Sequence, residues 1–198
     1  MSELVLVFER DNPCNTTISH RDTGEIYYTV KTEHTGHSYT RVKNGDDQEI
    51  ASWQWRNMRS DLLTLNNGPP SPASAWLKKS LVPFKNTVYF SDHLKRRYKW
   101  KGNAPGLQLE LFSELDKTHP IAQFKKSIRR KDTSQTPPVD VLDPATLTID
   151  SRGQDIMDMI VIAFCLLEKD RRADETSTVN RADAIAVSGG GAGGGGGM

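Results

Sequence analysis

The sequence predicts a mainly β fold of the α+β kind: a barrel of many short antiparallel strands enclosing one C-terminal hydrophobic helix. Two observations carry that expectation. Between Leu4 and Ile149, apolar residues recur as short runs and alternations separated by turn chemistry. Near the end the pattern breaks, and Met159 to Leu167 is nine consecutive apolar residues. Such a run covers every side of a helix, whereas a surface helix keeps a polar face. It is too short for a bilayer, which needs about 20 residues. A helix that is apolar all round must be wrapped by protein, and a sheet that wraps a helix is a barrel.

The elements follow in order. Leu4–Phe8 is a continuous apolar run, as expected of a strand buried on both faces. Asp11, Asn12 and Pro13 break it. Residues 17–32 read as a hairpin around Asp22-Thr23-Gly24, with Ile26, Tyr28 and Val30 on one face. Tyr39–Lys43 is a strand closed by Asn44-Gly45-Asp46-Asp47. Ile50–Arg56 alternates and places Ala51, Trp53 and Trp55 together, as core residues rather than ligand platforms. Asn66 to Pro72 is a loop rich in proline. Ser74–Leu81 reads as one or two helical turns with Trp76, Leu77 and Leu81 inward and Lys78-Lys79 wet.

A second run of strands follows. Thr87–Ser91 and Arg97–Lys101 form a hairpin around Asp92–Lys95. Leu107–Phe112 alternates with Leu107, Leu109 and Leu111 inward, and Pro120–Lys126 is a strand around Ile121 and Phe124. Asp132–Pro138 is a loop, and Leu147–Ile149 is a last short strand. The helix is expected over about 152–170. Ser151 and Gln154 have the spacing of a capping box. Asp155 suits the positive end of the helix, and Lys169, Arg171 and Arg172 suit the negative end. Asp158, inside the apolar stretch, is expected to face the open end or to accept a hydrogen bond from barrel backbone, because an unpaired buried carboxylate is costly.

Composition agrees with one domain over residues 3–172. The chain has 198 residues, 26 Lys and Arg against 25 Asp and Glu, and 36% hydrophobic residues. This excludes a collagen-like chain, a disulfide scaffold and a transmembrane protein. Residues 173–198 form no packed element in this reading, but a flexible, Gly-rich, disordered tail. Cys14 and Cys165 fit a reducing compartment, and nothing calls for a disulfide between them. Glu3 and the charges after Phe8 do not suit a signal peptide, so a cytoplasmic or membrane-peripheral location is expected.

Several segments together carry a family resemblance. They are LVFERDNPCNTTIS at the start, WLKKSLVPFKNTVYF and RRYKWKG in the centre, PIAQF, and the helix DIMDMIVIAFCLLEKDRR. The combination, with its F-x-x-x-x-P-x-N-T opening, its Y-x-W-K and its closing E-K followed by basic residues, resembles a fungal protein family of unknown function. That family is similar to the tubby C-terminal and LURP-one-related superfamily, which includes the phospholipid scramblases. The resemblance implies a tubby-like barrel threaded by a hydrophobic helix. Tubby domains bind phosphoinositides through basic residues, but their headgroup motif has no residue-by-residue match here.

One constellation points to a ligand. Between Lys95 and Lys131 stand eleven basic and three acidic residues, a local charge of +8, while the rest of the chain sums to −7. The candidate anion-binding residues are Lys95, Arg96, Arg97, Lys99 and Lys101, and a second cluster of Lys125, Lys126, Arg129, Arg130 and Lys131. In a strand, Arg97, Lys99 and Lys101 face one way, and Tyr98 and Trp100 the other. If the clusters meet, they form a patch for phosphate-bearing partners. The plainer alternative is a solvated face that keeps barrel edges soluble.

No catalytic residue and no cofactor is expected. His34 and His37 are two imidazoles without the further ligands that a metal site needs. Ser91, Asp92 and His93 are contiguous, unlike the separated members of a triad. The first reading is a non-enzymatic module that binds an anionic membrane surface peripherally. The alternative is a protein-interaction or structural module without lipid preference. Nucleic-acid binding ranks below both, because it needs Tyr98 and Trp100 exposed for stacking.

Overall fold

A computed structural model describes residues 3–82, 85–134 and 136–189. The first half of the sheet is β1 (Leu4–Phe8), β2 (Thr16–His20), β3 (Ile26–Thr35), β4 (His37–Asn44), β5 (Glu49–Gln54), β6 (Leu62–Leu65) and β7 (Ser71–Pro72). One helical turn, α1 (Ala73–Trp76), leads to β8 (Lys78–Lys79), β9 (Val88–Ser91), β10 (Arg97–Lys101), β11 (Glu110–Ser113) and β12 (Ala122–Lys125). A ribbon of β13 (Ile128–Asp132) and β14 (Val139–Asp143) precedes β15 (Thr146–Ile149) and the long helix α2 (Met157–Gly189). Among the described residues every strand pair is antiparallel.

Thirteen strands form one sheet in the order β7-β6-β5-β4-β3-β2-β1-β15-β12-β11-β10-β9-β8. Its two edges, β7 and β8, are separated in sequence only by Ala73–Leu77. A flat sheet of thirteen strands would hold its edges roughly 58 Å apart. The step from Pro72 to Lys78 spans at most about 21 Å. The sheet must therefore curl until its edges nearly meet, and α1 bridges the seam.

The curled sheet closes on α2. Ile160 to Leu167 are each 4% exposed or less, on every side of the helix. Phe164 sits against Phe124 at 4.4 Å and Phe8 at 5.3 Å between ring centroids. Trp53 and Trp100, both fully buried, come from distant parts of the sheet. Each large side chain enclosed this way contributes about 1.5–3 kcal/mol. The mainly β fold with an enclosed apolar helix is thus the one the sequence predicts.

Several local details differ from expectation. In β1, Val5 and Val7 are half-buried on the outer wall, so the strand is fully buried on one face only. Leu107 is 52% exposed, because Gly106 turns the chain at φ +77° and the strand starts at Glu110. Leu81 is 99% exposed: α1 stops at Trp76, and the chain turns extended at Leu77 to form β8. The capping box is not made. Instead the Asp150 carboxylate accepts from the amides of Arg152 (2.8 Å) and Gly153 (3.1 Å), and a 3-10 turn leads into α2.

The segment expected to be flexible from Ala173 continues as helix to Gly189, and Gly190 to Met198 lie outside the described residues. In the first turns beyond the apolar stretch, Arg171 binds Glu175, and Glu175 binds Lys126. Both cysteines are free and buried.

Candidate anion-binding face

The outer wall of β8–β11 gathers lysines by cross-strand register. Directly opposed residues share a face. Lys78 pairs with Tyr89, Tyr89 with Lys99, and Lys99 with Phe112, giving one outward row. Two strand spacings put Lys78 and Lys99 about 10 Å apart at the backbone. Tyr98 and Trp100 point the other way and are 5% and 0% exposed, so they belong to the core.

The loop after β11 folds back over this wall. Lys101 Nζ donates to the Lys117 carbonyl at 3.4 Å and lies 3.7 Å above the Phe112 ring centre. A recess of about 140 Å³ opens beside it, lined by Tyr89, Arg97, Lys99, Ser113, Glu114 and Lys117. The charge density is felt at Lys99. Burial, then Lys101, Lys117 and Lys85, push its ammonium below the ordinary lysine value. Glu114 opposes them only in part, since it is paired with Arg97 at 3.3 Å. The wall therefore has more positive charge than its own carboxylates neutralise, which suits an anion.

The ten candidates divide. Arg96 is held by Asp92 at 2.5 Å, Arg97 by Glu114, Lys126 by Glu175 at 3.0 Å and Arg130 by Asp143 at 3.0 Å. Among the described residues, Lys95, Lys99, Lys101, Lys125, Arg129 and Lys131 have no ion pair. Lys99 and Lys101 share the outer wall. Lys125 lies near them, two strands and two residues along from Lys101 through Glu110 and Gln123. Lys95 sits in the turn at the end where α2 enters the barrel. Arg129 and Lys131 lie on the separate ribbon, beyond the end where α2 leaves. The wall recruits Lys78, Lys85 and Lys117 instead. Sequence reasoning missed these because register and a folded-back loop, not chain proximity, bring them in.

The basic end of α2 has a different task. Glu168 is fully buried and receives Arg171 in a two-pronged pair, both contacts 2.7 Å, and Arg172 Nε at 2.7 Å. Arg172 also binds the Asp11 carboxylate, which accepts from the Ser127 amide and hydroxyl. Lys169 pairs with Asp61. These charges plug the barrel mouth with the helix exit. They satisfy one another and leave little for a ligand.

The remaining candidates make local contacts. Asp92 accepts from the Arg96 amide, Arg96 Nε and the Tyr98 hydroxyl, so it holds the β9–β10 turn. His34 bonds Ser38 at 2.8 Å and meets the Trp55 ring edge-on. Among the described residues no three His, Cys, Asp or Glu gather as metal ligands, and no helix is long and apolar enough to cross a membrane.

Fold and site together define an antiparallel barrel closed on a core helix, with a lysine-rich outer wall. The chain belongs to the family of unknown function DUF6593, which matches residues 11–173. Among solved structures, a protein of Arabidopsis thaliana is similar at 12% identity and a TM-score of 0.35, over 81% of this chain and 88% of that one. No curated protein matches the chain.

Proposed function

We propose that this chain is a non-enzymatic, cytoplasmic module that docks peripherally on anionic phospholipid, phosphoinositide headgroups included. The observation that carries this is the recess beside Lys99, crowded by Lys85, Lys101 and Lys117 and only partly balanced by Glu114. Each lysine near an anionic leaflet contributes about 1 kcal/mol, and the attraction fades beyond a Debye length of about 10 Å at 0.1 M salt. The sequence resemblance to the tubby C-terminal superfamily supports the same reading.

Vesicle co-sedimentation tests it, comparing neutral, phosphatidylserine and phosphoinositide vesicles at two salt concentrations. The full chain should sediment with anionic vesicles only, and less at high salt. The triple variant Lys99→Glu, Lys101→Glu, Lys117→Glu should stay in solution while keeping its circular dichroism. Equal binding by the folded variant would contradict the assignment.

A second reading, docking to another protein, is favoured by the ribbon. A two-stranded ribbon alone is marginal in water, yet β13 and β14 form their own sheet with Ile128, Val139 and Leu142 exposed. No vesicle binding, together with capture of one partner that is lost on Leu142→Asp, would move the assignment there.

A further inference from the structure

The barrel has a second basic region at its seam. β7 and β8 are the unpaired edges of the sheet, and a cavity of about 470 Å³ lies where α1 bridges them. That is the size of a site for a small organic ligand. Two contacts fix its wall. The Ala73 amide donates to the Asp61 carbonyl at 2.8 Å, and the Ser74 amide to Ser60 Oγ at 2.8 Å. The lining is divided by chemistry. Leu77, Val88, Leu166 and Leu167 supply apolar surface, the last two from the core helix itself. Arg56, Arg59 and Lys79 supply exposed cations.

Register explains why Lys79 lines the cavity while Lys78 does not. Lys79 is opposite Val88, whose side chain is 1% exposed and faces inward, so Lys79 takes the inner side of the edge. The carboxylates in the lining are already engaged. Asp61 accepts from Lys169 and from the Arg56 amide, and Asp170 lies 3.2 Å from Lys169 Nζ. Among the described residues, Arg56, Arg59 and Lys79 have no ion pair. The adjoining loops carry Met58 and Leu81, 97% and 99% exposed. Lys169 is shared by Asp61 and Asp170, so the site offers Arg56, Arg59 and Lys79 against one remaining carboxylate charge, above an apolar floor.

We propose that the seam cavity binds a single-chain anionic amphiphile, a carboxylate or phosphate monoester bearing an alkyl chain. The anionic head meets Arg56, Arg59 and Lys79. Guanidinium groups suit carboxylate and phosphate alike, through paired N–H donors. The chain lies on Leu77, Val88, Leu166 and Leu167. This site shares no residue with the lysine wall and does not depend on it.

The test is titration of the full-length protein, followed through the methyl NMR signals of Leu77, Val88, Leu166 and Leu167. The probes are decanoate and decyl phosphate below their micellar concentrations, with decanol and inorganic phosphate as controls. Decanoate or decyl phosphate should shift those methyls and bind at least tenfold more tightly than either control. The tighter of the two identifies the head. The exposed double variant Arg56→Gln, Arg59→Gln should weaken binding at least tenfold while keeping the unliganded spectrum. Lys99→Glu with Lys101→Glu should leave it unchanged. Decanol binding as tightly as decanoate would overturn the proposal. So would inorganic phosphate matching decyl phosphate, or full binding by the folded triple variant that adds Lys79→Gln.

Discussion

The Tyr28 hydroxyl donates a 2.6 Å hydrogen bond to the Asp158 carboxylate, joining β3 to the first turn of α2 across 130 residues of sequence. Tyr28 is 1% exposed, whereas Asp158 looks out of the end of the barrel. This places the one acid in the apolar stretch at the open end, bonded to a barrel side chain rather than to the barrel backbone. Burial, then the bond to Asp158, push the Tyr28 hydroxyl far above its ordinary pKa, so it stays a donor. Tyr28→Phe should cost about 1.5–3 kcal/mol in urea unfolding, the range for a hydrogen bond to a charged group. Asp158→Asn, which retains an acceptor, should cost less.

Glu168 is the keystone of the helix exit. It is 0% exposed and takes charge-assisted bonds from Arg171 and Arg172, and Arg171 is itself 3% exposed. Removing one partner of a buried pair leaves the other charge unpaired, at about 3–5 kcal/mol. Glu168→Ala should reach that range in denaturant unfolding. The double change Glu168→Leu, Arg171→Met should cost less than Glu168→Ala, because no buried charge is stranded. A loss under 1 kcal/mol for Glu168→Ala would contradict this role.

Acid should loosen the same end of the barrel. Burial alone would raise Asp11, but hydrogen bonds from Arg172 and Ser127 hold it below its ordinary value of 3.8. Glu175 behaves likewise: burial is outweighed by Lys126, the Gly106 amide and Arg171, which hold it below 4.5. A carboxylate lowered in the folded state contributes stability that is present above its unfolded pKa. That stability is lost as pH falls through the folded value. The melting temperature should therefore hold from neutral pH down to about pH 5 and fall below about pH 4.5. Asp11→Asn should start lower at neutral pH and lose less on acidification, as scanning calorimetry at pH 7 and pH 3.5 would read.

What was legible in the sequence depended on local pattern. Arg97–Lys101 alternates cleanly, and β10 has those bounds. The nine apolar residues from Met159 declared an enclosed helix without any partner being named. Elements set by distant pairing were not legible. Leu62–Leu65 is a short run after a polar loop and becomes β6 through its register with β5. The ribbon of β13 and β14 pairs Arg129 with Leu142 and Lys131 with Asp140, so it shows no apolar alternation. Leu81 was misplaced because pairing with β9 drew Lys78 and Lys79 into a strand where helix was expected. The lysine wall was half legible. Lys99 and Lys101 stand in one strand, whereas Lys78, Lys85 and Lys117 reach it only once the sheet is built.

The most direct test of the lysine wall is the titration of Lys99 itself, read from its side-chain NMR signals. Without ligand, Lys99 should lose its proton below the ordinary 10.5, because burial and then Lys101, Lys117 and Lys85 disfavour its charge. Saturating a soluble inositol phosphate headgroup should raise that value and shift the Lys101 and Lys117 signals. A Lys99 titration that neither the headgroup nor anionic bicelles move would contradict the account.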